Sequence, residues 1–301
     1  MDLVVRSPRI PVSGETILGG DFLMVPGGKG ANQAVAVAKL GAHAIFVARL
    51  GDDVFGRKSL ESFQKERVDT RHVTLTPGTP SGVALITVDA AGNNAIVVAP
   101  GANAKLSPED VRQAQSEIAS AGAVVAQLEV PVATVQCAAE LAHQAGVKFI
   151  LNPAPAQKLP SALLALVTVL TPNEIEAQIL TGVEVKDAES ACAAADRLLE
   201  AGVQSAMITM GAKGFLLAEG STREHIAAEK VNVVDTTAAG DAFTGSLAVG
   251  LGQGHSLRDS ALFANRAAAL SVTRMGAQPS MPTMEEVCAF IPTRGDSRRA
   301  K

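Results

Sequence analysis

From residue 123 to residue 210, short runs of apolar residues alternate with longer stretches that have helical spacing. Strands buried on both faces read as continuous apolar runs, and their alternation with amphipathic helices is typical of a parallel sheet covered by helices on both sides. The chain is therefore predicted to have a doubly wound α/β fold with a mostly parallel sheet. The predicted strands are AVVAQLE, VKFIL, VTVL and AMITM, and the clearest helices are VATVQCAAELAHQAG, NEIEAQILTG and DAESACAAADRLLEAG.

Two segments depart from this alternation, at about residues 3–25 and 80–100. In the second segment, VALITVDAAGNNAIVVA reads as two strands joined by a loop rich in glycine and asparagine. We predict that both segments form a small separate sheet, a lid on a single domain that spans residues 1–301. The basic tail TRGDSRRAK, residues 293–301, is expected to fray.

Composition narrows the class of ligand. The chain has 301 residues, of which 47% are hydrophobic, so it can bury a large core. A formal net charge of −4 removes the electrostatic argument for nucleic acid or an anionic membrane surface as a partner. The longest apolar run, ALLALVTVL, is too short to span a bilayer, and no signal peptide is visible. We therefore expect a cytoplasmic protein that binds a small molecule.

The stretch DTTAAGDAFTGSLAVG, residues 235–250, places small residues directly before a predicted helix. Free N–H groups and the helix dipole favour an anion at such a helix start, and a transferring phosphoryl group is the natural occupant. Asp241, kept ionised by the same dipole, would accept the proton of an attacking alcohol. The alternative, that Asp241 only caps the helix, stays open. The N–H groups in question belong to Ala238, Ala239, Gly240 and Asp241.

A second glycine-rich stretch, VPGGKGANQ, precedes a helix expected to begin near Asn32. Its glycines allow a ligand to approach the main chain closely, and Lys29 and Asn32 supply hydrogen-bond donors. The stretch lacks the spacing of a Walker loop, and no dinucleotide-binding glycine fingerprint occurs in the chain. The alternative is a simple loop between a lid strand and a helix.

Polar residues also follow the predicted parallel strands, where ligands bind in open α/β sheets. These residues are Glu129, Asn152, Asn173 and Thr209. Each is compatible with a role as a turn or cap residue, and Asn173 with Glu176 forms the pattern of a helix capping box. Their joint position favours one shared site.

Together these motifs resemble the ribokinase family of sugar and nucleoside kinases, and the resemblance covers nearly the whole chain. It implies a kinase that phosphorylates D-ribose at O5 with ATP, with Mg²⁺ accompanying ATP, K⁺ as an activating cation and a homodimer joined through the lid. Fructose or deoxyribose as the acceptor stays open. The matching motifs include SGET, GGKGAN, GDDVFG, PSGVALI, GANAKLSP, QLEVP, LNPAPA, TPNEIEA, ITMGAKG, DTTAAGDAFTG and VTRMGAQPS.

The resemblance implies a role for each matching residue. Asp241 would be the catalytic base, beside an anion hole made by Ala238, Ala239 and Gly240. Sugar hydroxyls would be held by Asp2, Gly28, Lys29, Gly30, Ala31, Asn32 and Glu129. The nucleotide would lie against Asn173, Thr209, Met210, Gly211, Ala212, Lys213, Gly214, Gly240 and Asn265, with Asn173 and Glu176 organising Mg²⁺ and phosphate. The monovalent cation would be enclosed by Asp235, Thr237, Ser271, Arg274, Gly276 and Ser280.

The chain departs from the family pattern at its start. Family members open with a strand of the form VVVGSxNxD, whereas this sequence opens with MDLVV. We expect Met1 to be an internal methionine and the reading frame to extend upstream, because a parallel sheet without this interior strand has two unpaired edges. A sugar-binding protein without turnover is the alternative that this departure leaves open, although binding alone needs neither a base nor a magnesium organiser.

Overall fold

The computed structural model describes residues 1–291, and the predicted frayed tail lies outside them. The strands are β1 Asp2–Arg6, β2 Phe22–Val25, β3 Ile45–Gly51, β4 Asp69–Thr76, β5 Val83–Val88, β6 Asn94–Ala99, β7 Ala123–Ala126, β8 Lys148–Leu151, β9 Val169–Leu170, β10 Ser205–Thr209, β11 Phe215–Glu219 and β12 Thr222–Ile226. The helices are α1 Lys29–Lys39, α2 Val54–Lys65, α3 Pro108–Gln113, α4 Gln115–Ser120, α5 Val132–Gln144, α6 Ser161–Leu164, α7 Glu174–Thr181, α8 Ala188–Glu200, α9 Ala239–Gly252, α10 Leu257–Ser271 and α11 Met284–Ala289.

The largest sheet has six strands in the order β12-β11-β10-β9-β8-β7. Strands β7 to β10 pair in parallel, and the β11–β12 hairpin extends the sheet antiparallel. Helices α5, α7 and α8 pack with the apolar residues of one face, and α9 and α10 with those of the other. The predicted α/β fold is confirmed, because the apolar runs are the buried strands and the stretches with helical spacing are the helices between them.

Strands β3 and β4 form a separate two-stranded parallel sheet. Within residues 1–291, β3 pairs only with β4 and β7 pairs only with β8, so the parallel strands are divided between two sheets. Helix α1 lies beside both the two-stranded sheet and the six-stranded sheet. A Cβ atom at Gly30 would lie 2.8 Å from Gln127 Oε1, just after β7, and 3.3 Å from the Phe46 ring on β3.

The segments predicted to form a lid make up a four-stranded sheet in the order β2-β1-β5-β6. Strands β1 and β5 are parallel, and β2 and β6 flank them antiparallel. Because side chains alternate between faces along a strand, Asp2 and Val4 share one face, and Leu3 and Val5 share the other. Asp2 approaches Gly27 at the start of α1, so its face is the one turned towards the α/β core.

Helix α9 is buried along almost its whole length, which places the GDAFTG motif in the interior. Its glycine at position 245 allows a close approach of α1, since a Cβ atom there would lie 2.8 Å from Ala36 Cβ and 2.9 Å from Gln33 O. This contact brings the first turn of α1 against the first turn of α9. No helix within residues 1–291 is long and apolar enough to cross a membrane.

Candidate active site

The centre of the site is Asp241, in the first turn of α9 and only 5% exposed. Its carboxylate accepts two hydrogen bonds from α1: Asn32 Nδ2 donates to Oδ2 at 2.8 Å and Gln33 Nε2 donates to Oδ1 at 2.9 Å. Helix α1 begins at Lys29, three residues before the predicted start near Asn32, because Gly28 with φ of 97° serves as its N-cap. Asp241 therefore accepts hydrogen bonds from two side chains of another helix, which a residue that only caps α9 would not do.

Burial raises the pKa of Asp241, and the opposing influences of Lys29, Asn32 and Gln33 do not cancel it. Desolvation therefore acts against the ionised form that the position at a helix start favours, and it is the largest influence on the pKa of this carboxyl. A carboxylate with a raised pKa is a stronger base than an exposed aspartate, so the environment suits proton acceptance from a hydroxyl group.

The helix start beside Asp241 has the features of an anion site. Ala238, the N-cap of α9, has a left-handed backbone with φ of 60° and no side-chain capping bond. The N–H of Ala239 donates to Thr236 O at 3.3 Å, while those of Gly240 and Asp241 have no acceptor within the described part of the chain. A Cβ atom at Gly240 would meet nothing within 4 Å, so open space lies above this turn.

That space belongs to a cleft of about 170 Å³. The cleft joins the predicted base and anion hole to residues that follow three strands of the six-stranded sheet. Its lining is Lys29, Asn152, Thr171, Asn173, Glu176, Thr209, Thr236, Ala238, Ala239, Gly240, Asp241 and Thr244.

Predicted sugar-binding residues converge between the lid and α1. Glu129 Oε2 accepts the Lys29 N–H at 2.8 Å, and any side chain at Gly27 would collide with the Asp2 carboxylate. Burial raises the pKa of both Asp2 and Glu129. Asn32 Oδ1 is buried and has no hydrogen-bond partner within residues 1–291, so this side chain has an unused acceptor.

Three of the predicted sugar ligands have no side-chain role: Gly28, Gly30 and Ala31. Ala31 is buried in an apolar cluster with Val35 and Met281, and Gly30 contacts Gln127 and Phe46. A ligand would therefore reach only the main chain at these positions.

Asn173 and Glu176 form the capping box of α7, as their spacing predicts. Asn173 Oδ1 accepts the Glu176 N–H at 2.8 Å, and Glu176 Oε2 accepts the Asn173 N–H at 2.9 Å. Asn173 also pairs with Thr209 as an isolated parallel bridge, which aligns the ends of two neighbouring segments at the cleft. Burial raises the pKa of Glu176, so this pair has a structural role and at the same time places a carboxyl group in the cleft wall.

The other predicted nucleotide-binding residues lie outside this cleft. Residues Gly211–Lys213 form a short 3-10 turn, and Gly211 and Gly214 have left-handed φ of 52° and 95°. Met210 is buried and Ala212 is exposed. Lys213 Nζ donates to Lys186 O at 2.5 Å. Asn265 Nδ2 donates to Ala227 O at 3.0 Å, so both polar side chains already have protein partners.

Three of the residues predicted to hold a monovalent cation meet directly. Asp235 Oδ1 accepts the N–H and hydroxyl of Thr237, and Oδ2 accepts the Gly276 N–H at 2.8 Å. Burial raises the pKa of Asp235, but these hydrogen bonds outweigh it and leave the pKa below its ordinary value. The Arg274 guanidinium is paired with Glu286, so only its main chain remains for a cation. The hydroxyls of Ser271 and Ser280 donate to Ala268 O and Ala277 O.

The sequence interpretation missed Gln33. It is 2% exposed and bonds Asp241 directly, next to Asn32 on the same turn of α1. Thr244 was also missed, although it lies three residues after Asp241 on α9 and therefore on the same helix face. That spacing can be read from the sequence. Whether the Gln33 side chain reaches Asp241, in contrast, depends on how α1 packs on α9.

The sequence profile of the pfkB family carbohydrate kinases matches residues 1–284. A ribokinase of Haemophilus influenzae is 43% identical over 290 residues, which cover 96% of this chain and 95% of the relative. A deoxyribokinase of Salmonella typhi is 38% identical over 292 residues, covering 97% of this chain and 95% of the relative. The structure of Arabidopsis thaliana ribokinase complexed with ribose and ATP superposes with a TM-score of 0.89 at 33% identity, covering 96% of each chain.

Proposed function

The chain belongs to the pfkB family of carbohydrate kinases, and from this premise we propose that it transfers the γ-phosphoryl group of ATP to the 5-hydroxyl of D-ribose. The oxygen–phosphorus bond forms as the bond to the ADP oxygen breaks, and the hydroxyl proton passes to Asp241. The products are ribose 5-phosphate and ADP.

We also propose a cytoplasmic location, since ATP is the donor and Cys137, Cys192 and Cys288 are free thiols.

One observation carries this proposal: a buried carboxylate lies in the same helical turn as two N–H groups that have no acceptor within residues 1–291. Asp241 and Gly240 thereby combine a proton acceptor and an anion site within one residue of each other. Phosphoryl transfer needs this positioning and electrostatic stabilisation more than it needs covalent catalysis. Lys29 adds a positive charge to the same cleft.

Magnesium fits the site as a companion of ATP. Within residues 1–291, no group of three or more acidic, histidine or cysteine side chains forms a metal cage. Mg²⁺ commonly keeps several waters and is bound by substrate phosphates with one or two carboxylates, and Glu176 in the cleft wall supplies one such group. The bound ion would neutralise charge on the phosphates.

Potassium is proposed as the activating cation at the loop of Asp235. Carbonyl and hydroxyl oxygens, together with a single carboxylate, are suitable ligands for a large monovalent ion. At this loop, hydrogen bonds hold Asp235, Thr237 and Gly276 together. The loop leads directly into Ala238 and Gly240, so an ion there would order the anion site.

A coupled assay of ADP release tests these proposals. Purified protein should release ADP fastest with ribose, compared with deoxyribose, fructose and adenosine, and faster with K⁺ than without it. Deoxyribose is the second candidate acceptor, favoured by the deoxyribokinase relative at 38% identity. Binding of ribose with no ADP release under any condition would contradict a kinase function and favour the sugar-binding alternative.

Gly240→Ala should lower kcat/KM for ATP by about 10²-fold without loss of stability. A methyl group at position 240 would meet no atom within 4 Å from the rest of residues 1–291 outside its own helical turn, but it would occupy the space where the phosphoryl group is proposed to lie. Initial rates at varied ATP and a thermal melt measure both effects. Gly252→Ala, at the other end of α9 with ordinary contacts, is the matched control. Equal activity of both variants would argue against an anion site at position 240.

We further propose that two chains form a homodimer through their lids. Seven large apolar side chains on the lid strands are more than a third exposed, which is unusual for a surface that stays uncovered. Because Ile96 and Val97 are neighbours on β6, they lie on opposite faces, so both faces of the lid are apolar. The seven side chains are Phe22, Leu23, Met24, Leu85, Ile96, Val97 and Val98.

A charge on the lid should therefore shift the protein from dimer to monomer. Sedimentation analysis should give a dimer for the unmodified chain and a monomer for Ile96→Glu or Val97→Glu, depending on which face is covered. Ile179→Glu, at a residue 52% exposed on α7, is the control and should remain a dimer. The proposal fails if the unmodified chain is a monomer, or if both lid variants remain dimers.

A further inference from the structure

We propose that Gln33 is a positioning residue for the reaction, holding the Asp241 carboxylate through a relay of amide groups that begins at Gln127. The inference rests on the proposed function, because it assigns a role in proton acceptance by Asp241. Neither Gln33 nor Gln127 is among the residues expected to bind sugar, nucleotide or cation.

The relay is fixed by its hydrogen bonds. Gln33 Nε2 donates to Asp241 Oδ1 at 2.9 Å and to Asn152 Oδ1 at 3.3 Å, and Gln33 Oε1 accepts from Gln127 Nε2. Asn152 Nδ2 in turn donates to Thr171 O at 2.9 Å, which turns its oxygen towards Gln33. An ionised carboxylate only accepts hydrogen bonds, so the nitrogen of Gln33 must face Asp241. Gln33 thus uses all its polar atoms within the protein.

Gln33 and Asn32 have different positions around the same carboxylate. Asn32 bonds Oδ2, and its own Oδ1 is buried with no hydrogen-bond partner among residues 1–291. Gln33 bonds Oδ1 and is 2% exposed, and neither Gln33 nor Asn32 is among the residues that line the cleft. Gln33 therefore acts on the reaction only through Asp241: its bond to Oδ1, with that of Asn32 to Oδ2, fixes the rotation of the carboxyl plane.

The loss of this donor has a predictable electrostatic effect. The charged groups around Asp241 are Lys29, which favours its ionised form, and the carboxyls of Asp2, Glu129 and Glu176, which disfavour it. Removing a donor to the ionised form disfavours it further. The acid side of the kcat–pH profile should then move to higher pH, and a freely rotating carboxylate should slow the chemical step.

The test compares Gln33→Met and Gln127→Met with the unmodified chain. Gln33→Met has nearly the same volume without the donor, and we expect kcat to fall about 10- to 100-fold, with less than a 3-fold change in KM for ribose or ATP. Gln127→Met keeps Gln33 but removes its anchor, and should give a smaller change in the same direction. Gln136→Met, at an exposed hydrogen bond on α5, is the control and should have no effect.

A second measurement does not depend on turnover. Titration of the Asp241 carboxyl carbon by NMR should show a higher pKa in Gln33→Met than in the unmodified chain, with Gln136→Met unchanged. The inference is overturned if kcat and this titration are both unaltered, or if only the KM for ribose rises. Absence of kinase activity in the unmodified chain would instead count against the proposed function, and the titration would still decide whether Gln33 controls Asp241. If Gln33→Met does not fold, the same comparison is made with Gln127→Met.

Discussion

Asp241→Asn should lower kcat by about two to four orders of magnitude while leaving the affinity for ATP nearly unchanged. The amide cannot accept the proton of the attacking hydroxyl, and general-base catalysis by a positioned side chain contributes a factor of this size. The substitution is nearly isosteric. Asn32, whose Oδ1 has no partner in the described part of the chain, can rotate its amide so that the oxygen faces the new NH₂ group. The low activity would therefore reflect lost chemistry and not a collapsed site.

The same substitution should raise the melting temperature at pH 7. Because burial raises the pKa of Asp241, the folded state binds more protons than the unfolded chain between the unfolded and folded pKa values. The stability that this group contributes is present below its unfolded pKa and is lost as pH rises through its folded pKa. At neutral pH the ionised group costs stability, and asparagine removes that cost. Functional sites commonly trade stability for activity in this way.

Rate measurements by coupled assay and thermal melts between pH 5 and pH 8 check both effects. The difference in melting temperature between Asp241→Asn and the unmodified chain should shrink as the pH falls. Asp187→Asn is the control, since Asp187 is an exposed cap of α8 whose pKa is lowered by its bonds to Ser190. Retained activity in Asp241→Asn would overturn the mechanism. A melting temperature that drops at every pH would mean that the carboxylate is needed for folding.

Local signals in the sequence were sufficient for most elements of the fold. The capping box of Asn173 and Glu176 identifies the start of α7 without any tertiary information, and the apolar runs locate β7 to β10. The start of α1 was placed too late because the N-cap is Gly28, which has no side chain to signal a cap. Signals of this kind depend on residues close together in the chain, which is why they can be read directly.

The arrangement of the site depends on contacts that no local pattern contains. Gln33 reaches Asp241 across 208 positions in sequence, and it does so because Gly245 allows α1 to pack closely on α9. The raised pKa of Asp241 likewise follows from burial by the whole fold, which its position in the first turn of a helix does not predict. The residue types of the site could therefore be predicted, but their partners and proton affinities could not.

Lys29→Met should lower kcat/KM for ATP by about 10²- to 10³-fold, a loss typical of removing one preorganised electrostatic contact in a site of this kind. Lys29 lines the cleft and is the positive charge that offsets burial at three carboxyls: Glu129, Glu176 and Asp241. Without it, the residues that line the cleft offer a polyphosphate N–H and hydroxyl groups but no positive charge, beside an excess of negative charge.

Loss of Lys29 should also change the pH dependence in a defined direction. The pKa of Asp241 should rise further, so the acid side of the kcat profile should move to higher pH, and stability should fall more steeply as pH rises through that range. Lys29→Arg keeps the charge and should lose much less activity, while Lys58→Met on the exposed side of α2 should lose none. If Lys29→Met shifts only the KM for ribose and leaves the pH profile in place, the lysine serves sugar binding alone. In that case the negative charges of the cleft must be balanced by the metal that accompanies ATP.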